Sequence, residues 1–186
     1  MFMKGMYRMK MNRENLNAKY EFRSIKAEEA DEAAEVERIC FPPNEACSRE
    51  DMIERANVAP DFFLLAIDRA TGKMAGFLNG LATNEEKFRD EFFTDVTLHD
   101  PEGESVMLLG LDVLPEHRMQ GLARELVREY CRREKARGRK RLVLTCLDNK
   151  VDMYIKFGFE DLGMAASSWG GEEWHEMDIK LDDVTQ

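Results

Sequence analysis

The segment from Leu111 to Arg124, Leu-Asp-Val-Leu-Pro-Glu-His-Arg-Met-Gln-Gly-Leu-Ala-Arg, turns an apolar strand directly into a helix. Val106 to Leu114 is nearly continuously apolar. From Gly121 to Arg137, with Gly138 as the stop, Leu122, Leu126, Val127, Tyr130 and Cys131 fall on one helical side. The first turn of a helix leaves several N–H groups without internal partners, and with the positive end of the helix dipole they form an anion site that suits a pyrophosphate. Gly121 removes the side chain that would block a phosphate, and Ala123 keeps the next approach small. The loop is neither G-x-x-x-x-G-K-[ST] nor G-x-G-x-x-G, which sets aside two common nucleotide-binding loops by motif. The plainer alternative is that Gly121 only ends a turn.

Around this unit the chain reads in the order β, α, α, β, β, β, α, β, α, β, β. Tyr20 to Lys26 is a short strand and Ala27 to Cys40 a helix, stopped by Phe41-Pro42-Pro43, since proline disfavours helical geometry in the residue before it. Ser48-Arg49-Glu50-Asp51 is a capping box with Asp in place of Glu or Gln, and it opens a second helix through Ala56. Phe62 to Ile67 and Met74 to Leu81 are strands whose polar, glycine-bearing link suits a hairpin. Ala82 to Glu104 is a charged excursion with one helical turn. Arg141 to Leu147 is a strand, Asn149 to Lys156 a short helix, and extended chain resumes at Phe159. In the last strand His175, Met177, Ile179 and Leu181 alternate with charged residues, after a turn at Gly170-Gly171. An α/β (α+β) fold follows, with a mixed, mostly antiparallel sheet of about seven strands flanked by about four helices. Residues 1–20 read as a methionine-rich tail and 21–186 as one domain.

With 44% hydrophobic and 34% charged residues, the chain has the composition of a globular protein, and its net charge of -10 argues against nucleic acid as a partner. Cys40, Cys47, Cys131 and Cys146 show neither metal spacing nor a disulfide framework. Without a signal-like or membrane-spanning apolar run, the expectation is a soluble, cytoplasmic protein with no membrane partner, a monomer or homodimer. His99, His117 and His175 form no metal cluster, so no metal is expected.

Arg118-x-x-Gly121-x-Ala123 matches the [RQ]-x-x-G-x-[GA] signature of GNAT acetyltransferases, and Val113 to Arg118 looks like the family's V-x-P-x-x-R lead-in. Tyr154-Ile155-Lys156-Phe157-Gly158-Phe159 resembles its Y-x-x-[FL]-G-F element. Cys146-Leu147-Asp148, Thr97-Leu98-His99 and Glu45-Ala46-Cys47 look similar to the arylalkylamine (serotonin) N-acetyltransferase branch. The resemblance implies the GNAT fold and acetyl-CoA as cosubstrate. It implies the backbones of Leu111, Asp112 and Val113 beside the pantetheine arm, with Arg118, Met119, Gln120, Gly121, Leu122, Ala123 and Arg124 holding the phosphates. Phe41 and Pro42, with Leu109, are the expected substrate wall.

Acetyl transfer needs a neutral amine, and collapse of the tetrahedral intermediate expels a thiolate that a neighbouring acid can protonate. The resemblance gives that role to Tyr154, whose phenol, with an ordinary pKa of about 10, stays protonated at neutral pH. The family's strand bases are absent: Met107 and Leu109 stand at the positions where the branch has paired histidines. Asp112, interrupting an apolar strand, either faces the site or sits at a bulge. The expected reaction is acetylation of a small hydrophobic or aromatic amine. A protein or peptide N-acetyltransferase and an acyl-CoA sensor without turnover stay open as alternatives.

Overall fold

The computed structural model describes residues 15–183. Its strands are β1 (Tyr20–Ser24), β2 (Phe63–Asp68), β3 (Met74–Thr83), β4 (Ser105–Val113), β5 (Arg141–Cys146), β6 (Glu160–Met164) and β7 (His175–Lys180). Its longer helices are α1 (Ala30–Cys40), α2 (Arg49–Val58), α3 (Leu122–Ala136) and α4 (Asp148–Phe157). The strands form one seven-stranded sheet in the order β1-β2-β3-β4-β5-β7-β6. Every neighbouring pair is antiparallel except β4 and β5. The mixed, mostly antiparallel α/β sheet expected from the order of elements is therefore the one observed.

Both faces of the sheet are covered, which is why β2 and β3 read as unbroken apolar runs rather than as alternation. Phe63, Leu65 and Ile67 of β2 point to one side, where they pack with Ala30, Ala33 and Val36 of α1 and Met52 and Ala56 of α2. Leu64 and Ala66 point to the other, into the larger core with Leu122, Leu126, Val127 and Tyr130 of α3. The period of two within the strand thus divides its residues between two cores.

Local chemistry sets the helix ends. Ser48 caps α2 by accepting from the Asp51 amide at 3.0 Å. The expected reciprocal bond differs in detail: Ser48 Oγ donates to the Asp51 carboxylate at 2.6 Å. Asp is one methylene shorter than the Glu of a full capping box, so it reaches the hydroxyl. The first expected helix begins as a 3-10 turn, Ala27–Glu29, before α1 proper. The excursion after β3 holds two 3-10 turns, Asp90–Phe93 and Val96–Leu98, in place of the single helical turn expected there.

Residues 1–14, most of the expected N-terminal tail, lie outside the described residues, as do 184–186. Of the segment read as a tail, residues 15–19 are helical, and Leu16 and Tyr20 both join the larger core. The Tyr20 hydroxyl also lies 2.9 Å from His117 Nδ1, which ties β1 to the turn before α3.

Candidate active site

A one-residue irregularity in β4 opens the sheet. Asn79 pairs with Gly110 but Gly80 with Leu108, so Leu109 has no partner on β3 and forms a bulge. A bulge bends its strand. Pairing between β4 and β5 is confined to Ser105–Met107 with Arg141–Val143, while β5 stays paired with β7 along its whole length. From Leu108 onward the edge of β4 facing β5 carries backbone donors and acceptors without a strand partner, as needed to bind an extended amide-bearing chain. A cavity of about 650 Å³ occupies the gap.

One part of the cavity wall is the start of α3. Met119 (φ 58°) and Gly121 (φ 89°) both take left-handed backbone conformations, which turn the chain into the helix. The first bond of the helix runs from the Glu125 N–H to the Gly121 carbonyl at 3.1 Å. The amides of Leu122, Ala123 and Arg124 therefore precede any acceptor within the helix. Gly121 to Arg124, Arg118 and Met119 line the cavity. Arg118 Nε donates to the Val113 carbonyl at 2.8 Å, fastening the turn to the strand end. The Arg124 guanidinium lies 5.5 Å from the centre of the Phe157 ring. Gln120 departs from expectation: it is exposed, donates to the Glu116 carbonyl at 2.9 Å and accepts from Lys19 at 2.7 Å, off the cavity wall.

Leu109, Leu111 and Val113 of β4 also line the cavity, and Tyr154 of α4 joins them. Tyr154 packs edge-on against Phe157 and Phe159, at 6.0 and 5.5 Å between centroids. Burial, then the nearby Cys146 and Asp112, pushes its phenol above the ordinary value. It is therefore a neutral donor at neutral pH.

Another part of the wall is aromatic. Phe41, Phe93, Trp169 and Trp174 line it together with Glu45. Phe93 and Trp169 lie 4.7 Å apart, tilted by 30°. The Trp169 indole donates to the Glu45 carbonyl at 2.7 Å and the Trp174 indole to the Trp169 carbonyl at 2.9 Å, so both rings are held by their polar atoms. Pro42, expected beside Phe41, is exposed and off the wall, because its loop turns outward there.

Neither reading of Asp112 matches its position. The bulge falls at Leu109, Asp112 pairs normally with Phe77, and its carboxyl is buried beside Glu37 and Cys40, off the cavity wall. It belongs to a buried polar group beneath the site that also holds Glu37, Arg55 and Asn79. Arg55 donates to Asn79 Oδ1 at 3.0 Å, to the Phe93 carbonyl at 2.9 Å and to Cys47 Sγ at 3.3 Å. Glu37 Oε1 accepts from the Cys47 amide at 3.1 Å, and Glu37 itself borders the cavity. Desolvation pushes both carboxyls up, Asp112 well above the ordinary range with the Glu37 charge adding to it, whereas the Cys47 amide, Arg55 and the contact with Asp112 draw Glu37 back down. Sequence periodicity could have flagged Glu37, which follows Ala30 and Ala33 at i+7 and i+4 on the buried stripe of α1.

The histidines take other parts. His117 borders the cavity against Tyr20, and His99 accepts from the Ala82 amide at 3.1 Å. Burial, then Arg139, lowers the His99 pKa. His175 contacts Asp161 at 3.1 Å. Among the described residues no group of three or more His, Cys, Asp or Glu side chains is placed to hold a metal ion, and no helix is long and apolar enough to cross a membrane.

Comparison with known proteins agrees with this geometry. Residues 29–159 match the model of the acetyltransferase (GNAT) family. Serotonin N-acetyltransferase from Mesocricetus auratus is 27% identical over 165 residues, covering 87% of this chain and 77% of that protein. Among solved structures, the loading GNATL domain of CurA from Lyngbya majuscula superposes with a TM-score of 0.74 at 17% identity, covering 89% of this chain and 99% of that one. The GphF GNAT-like decarboxylase in complex with isobutyryl-CoA gives 0.72 at 17% identity, covering 87% and 99%. With the family model spanning the split strands, the helix start and the Tyr154 element, this chain belongs to the acetyltransferase (GNAT) family and is an acetyl-CoA-dependent acyltransferase.

Proposed function

We propose that the chain acetylates a small primary amine bearing an aromatic or other apolar group, with Tyr154 as the acid that receives the departing thiolate. The observation that carries this reading is one cavity with two unlike parts to its wall: the unpartnered amides at the start of α3, and the rings of Phe41, Phe93, Trp169 and Trp174. The pyrophosphate of acetyl-CoA belongs at the first part, against the amides of Leu122 to Arg124, with Arg118 and Arg124 supplying positive charge. The pantetheine arm then runs along β4 past Val113 and Leu111, and its amides pair with the open strand edge as an added strand would. This brings the thioester to the level of Leu109 and Tyr154, and leaves the aromatic part for the acceptor.

Several features support a small acceptor. The aromatic part is walled by rings locked to backbone carbonyls, which suits a flat apolar group entering edge or face first. Glu37 and Glu45 are the acidic side chains on the wall, and either attracts an ammonium group. The likeness to serotonin N-acetyltransferase points the same way.

The test is a thiol-release assay with acetyl-CoA across arylalkylamines, polyamines, amino acids and peptides, with cofactor binding followed by calorimetry. Turnover confined to arylalkylamines is the expected result; turnover on peptides alone would replace the acceptor class. Tyr154→Phe is expected to lower kcat by about 10²-fold or more with little change in the Kd for CoA. An unchanged kcat in a variant that still binds CoA would remove Tyr154 from the chemistry.

A further inference from the structure

An amine acceptor arrives as an ammonium and must lose a proton before it can attack, yet Met107 and Leu109 offer no base on the central strand. Four polar side chains converge beneath the cavity floor instead. Glu37 (3% exposed), Asp112 (1%), Asn79 (0%) and Arg55 (1%) are all buried, and beyond the contacts of Asp112 with Glu37 and Cys40, the atoms Glu37 Oε2, both Asp112 carboxyl oxygens and Asn79 Nδ2 find no hydrogen-bond partner. These unpartnered atoms face a common point at the backbone of Gly110. A Cβ there would stand 3.0 Å from Asp112 Oδ2, 3.2 Å from Asn79 Nδ2 and 3.2 Å from Glu37 Oε2. A residue without a side chain next to the bulge is what lets the carboxyls approach the stretch of β4 that borders the cavity.

Buried polar atoms are paired in almost every native structure, so several orphaned together call for an explanation. Stability does not supply one, since two carboxyls and one guanidinium cost more to desolvate than apolar side chains of the same volume. Of these groups only Glu37 is also on the cavity wall. From this convergence we propose that Glu37 binds the acceptor's ammonium and accepts its proton, with Asp112 as a positioning residue that holds and shares a proton with it. The proposal rests on the amine-acetylation reading above.

The step balances without a further reactant. The ammonium passes one proton to Glu37, which releases it to solvent; the freed nitrogen attacks the thioester carbonyl, and the C–N bond forms. As the C–S bond breaks, the electron pair goes to sulfur, which takes the Tyr154 proton, while the second nitrogen proton passes to Glu37. That proton returns to Tyr154 through solvent, leaving the amide and CoA thiol. The charged and titratable groups facing Glu37 are Asp112 from β4, Arg55 from α2 and Cys47 from the loop between the helices; Cys40 from α1 faces Asp112 and Arg118. Burial raises the Glu37 carboxyl, while Arg55 and the contact with Asp112 draw it back toward an ionised base.

The test is the pH dependence of kcat/KM on the best amine for the parent chain, Glu37→Gln and Asp112→Asn, with CoA affinity and thermal unfolding measured on each. Glu37→Gln is expected to bind CoA as before, to lose about 10²-fold or more in kcat/KM at pH 7, and to lose the acidic limb of the profile. Asp112→Asn should keep the limb but displace it, with a much smaller loss, because an amide can still donate to Glu37. A folded Glu37→Gln variant with the parent's profile overturns the proposal and gives the proton to Glu45 or solvent. Should Glu37→Gln fail to fold, Glu37→Asp decides: a displaced limb supports the assignment, and one at the parent's pH overturns it. Failure of the parent to bind CoA or turn over any amine would refute the acetyltransfer reading itself, and this one with it.

Discussion

Arg55 is the sharpest test of how the ground beneath the site is held together. It is 1% exposed and donates to a side-chain amide, a backbone carbonyl and a thiol on three different segments, and its charge is the nearest compensation for Glu37 and Asp112. Arg55→Met keeps much of the volume but removes every donor. Removing one partner from a buried charged group costs about 3–5 kcal/mol, chiefly because the remaining charge is left uncompensated. For a domain of this size each kcal/mol moves Tm by about 2–4 °C, so a loss of about 6–20 °C is expected by circular dichroism. The loss should also grow with pH. Arg55 lowers both carboxyls, so its removal lifts them further above their unfolded values. A carboxyl raised in the folded state stabilises below its unfolded value of about 4 and loses that contribution as pH climbs through the folded value. The variant should therefore fall further behind the parent at pH 8 than at pH 5. A loss below 2 °C, equal at both pH values, would refute the reasoning.

Two further outcomes follow from the same contacts. Asp112→Asn removes the carboxyl most strongly raised by burial, so its Tm should vary less than the parent's between pH 5 and 9; parallel curves in a differential scanning fluorimetry series would contradict the assignment. Ser48→Ala deletes the cap of the helix that carries Arg55 and should cost about 1 kcal/mol, or about 2–4 °C in Tm, with CoA affinity unchanged by calorimetry.

Much of the architecture was legible from local pattern. The alternation of His175, Met177 and Ile179 placed the last strand, Ser48 placed the start of α2, and Gly121 marked a turn that only a residue tolerant of positive φ makes readily. Those features are decided within a few residues of chain. The bulge at Leu109 was not legible, because it is a mismatch of register between β3 and β4 and exists only once they pair. For the same reason Asp112 was a puzzle in sequence, and its surroundings come from α1, α2 and β3. Arg55 and Asn79 carried a faint signal, a cation among Met52 and Ala56 and an amide inside an apolar strand, but polar residues in such places are ambiguous until their partners are known. The aromatic wall drew on residues more than a hundred positions apart, so no spacing rule could assemble it.

The way that wall is fastened has a consequence for how the protein can change. The carrier half of the cavity is written in one short stretch, 109–124, where strand, turn and helix leave little latitude. The opposing half is a patchwork of three segments: those around Phe41 to Glu45 and Trp169 to Trp174 are pinned to each other by the Trp169 indole bond to the Glu45 carbonyl and the Asn44 to Gly170 bond of 3.0 Å, and Phe93 joins them through its ring contact with Trp169. Surface segments accept insertions and new sequences more readily than a sheet does. Descendants of this chain, natural or engineered, could thus exchange the mouth and keep the engine, with their diversity concentrated where the guest is chosen.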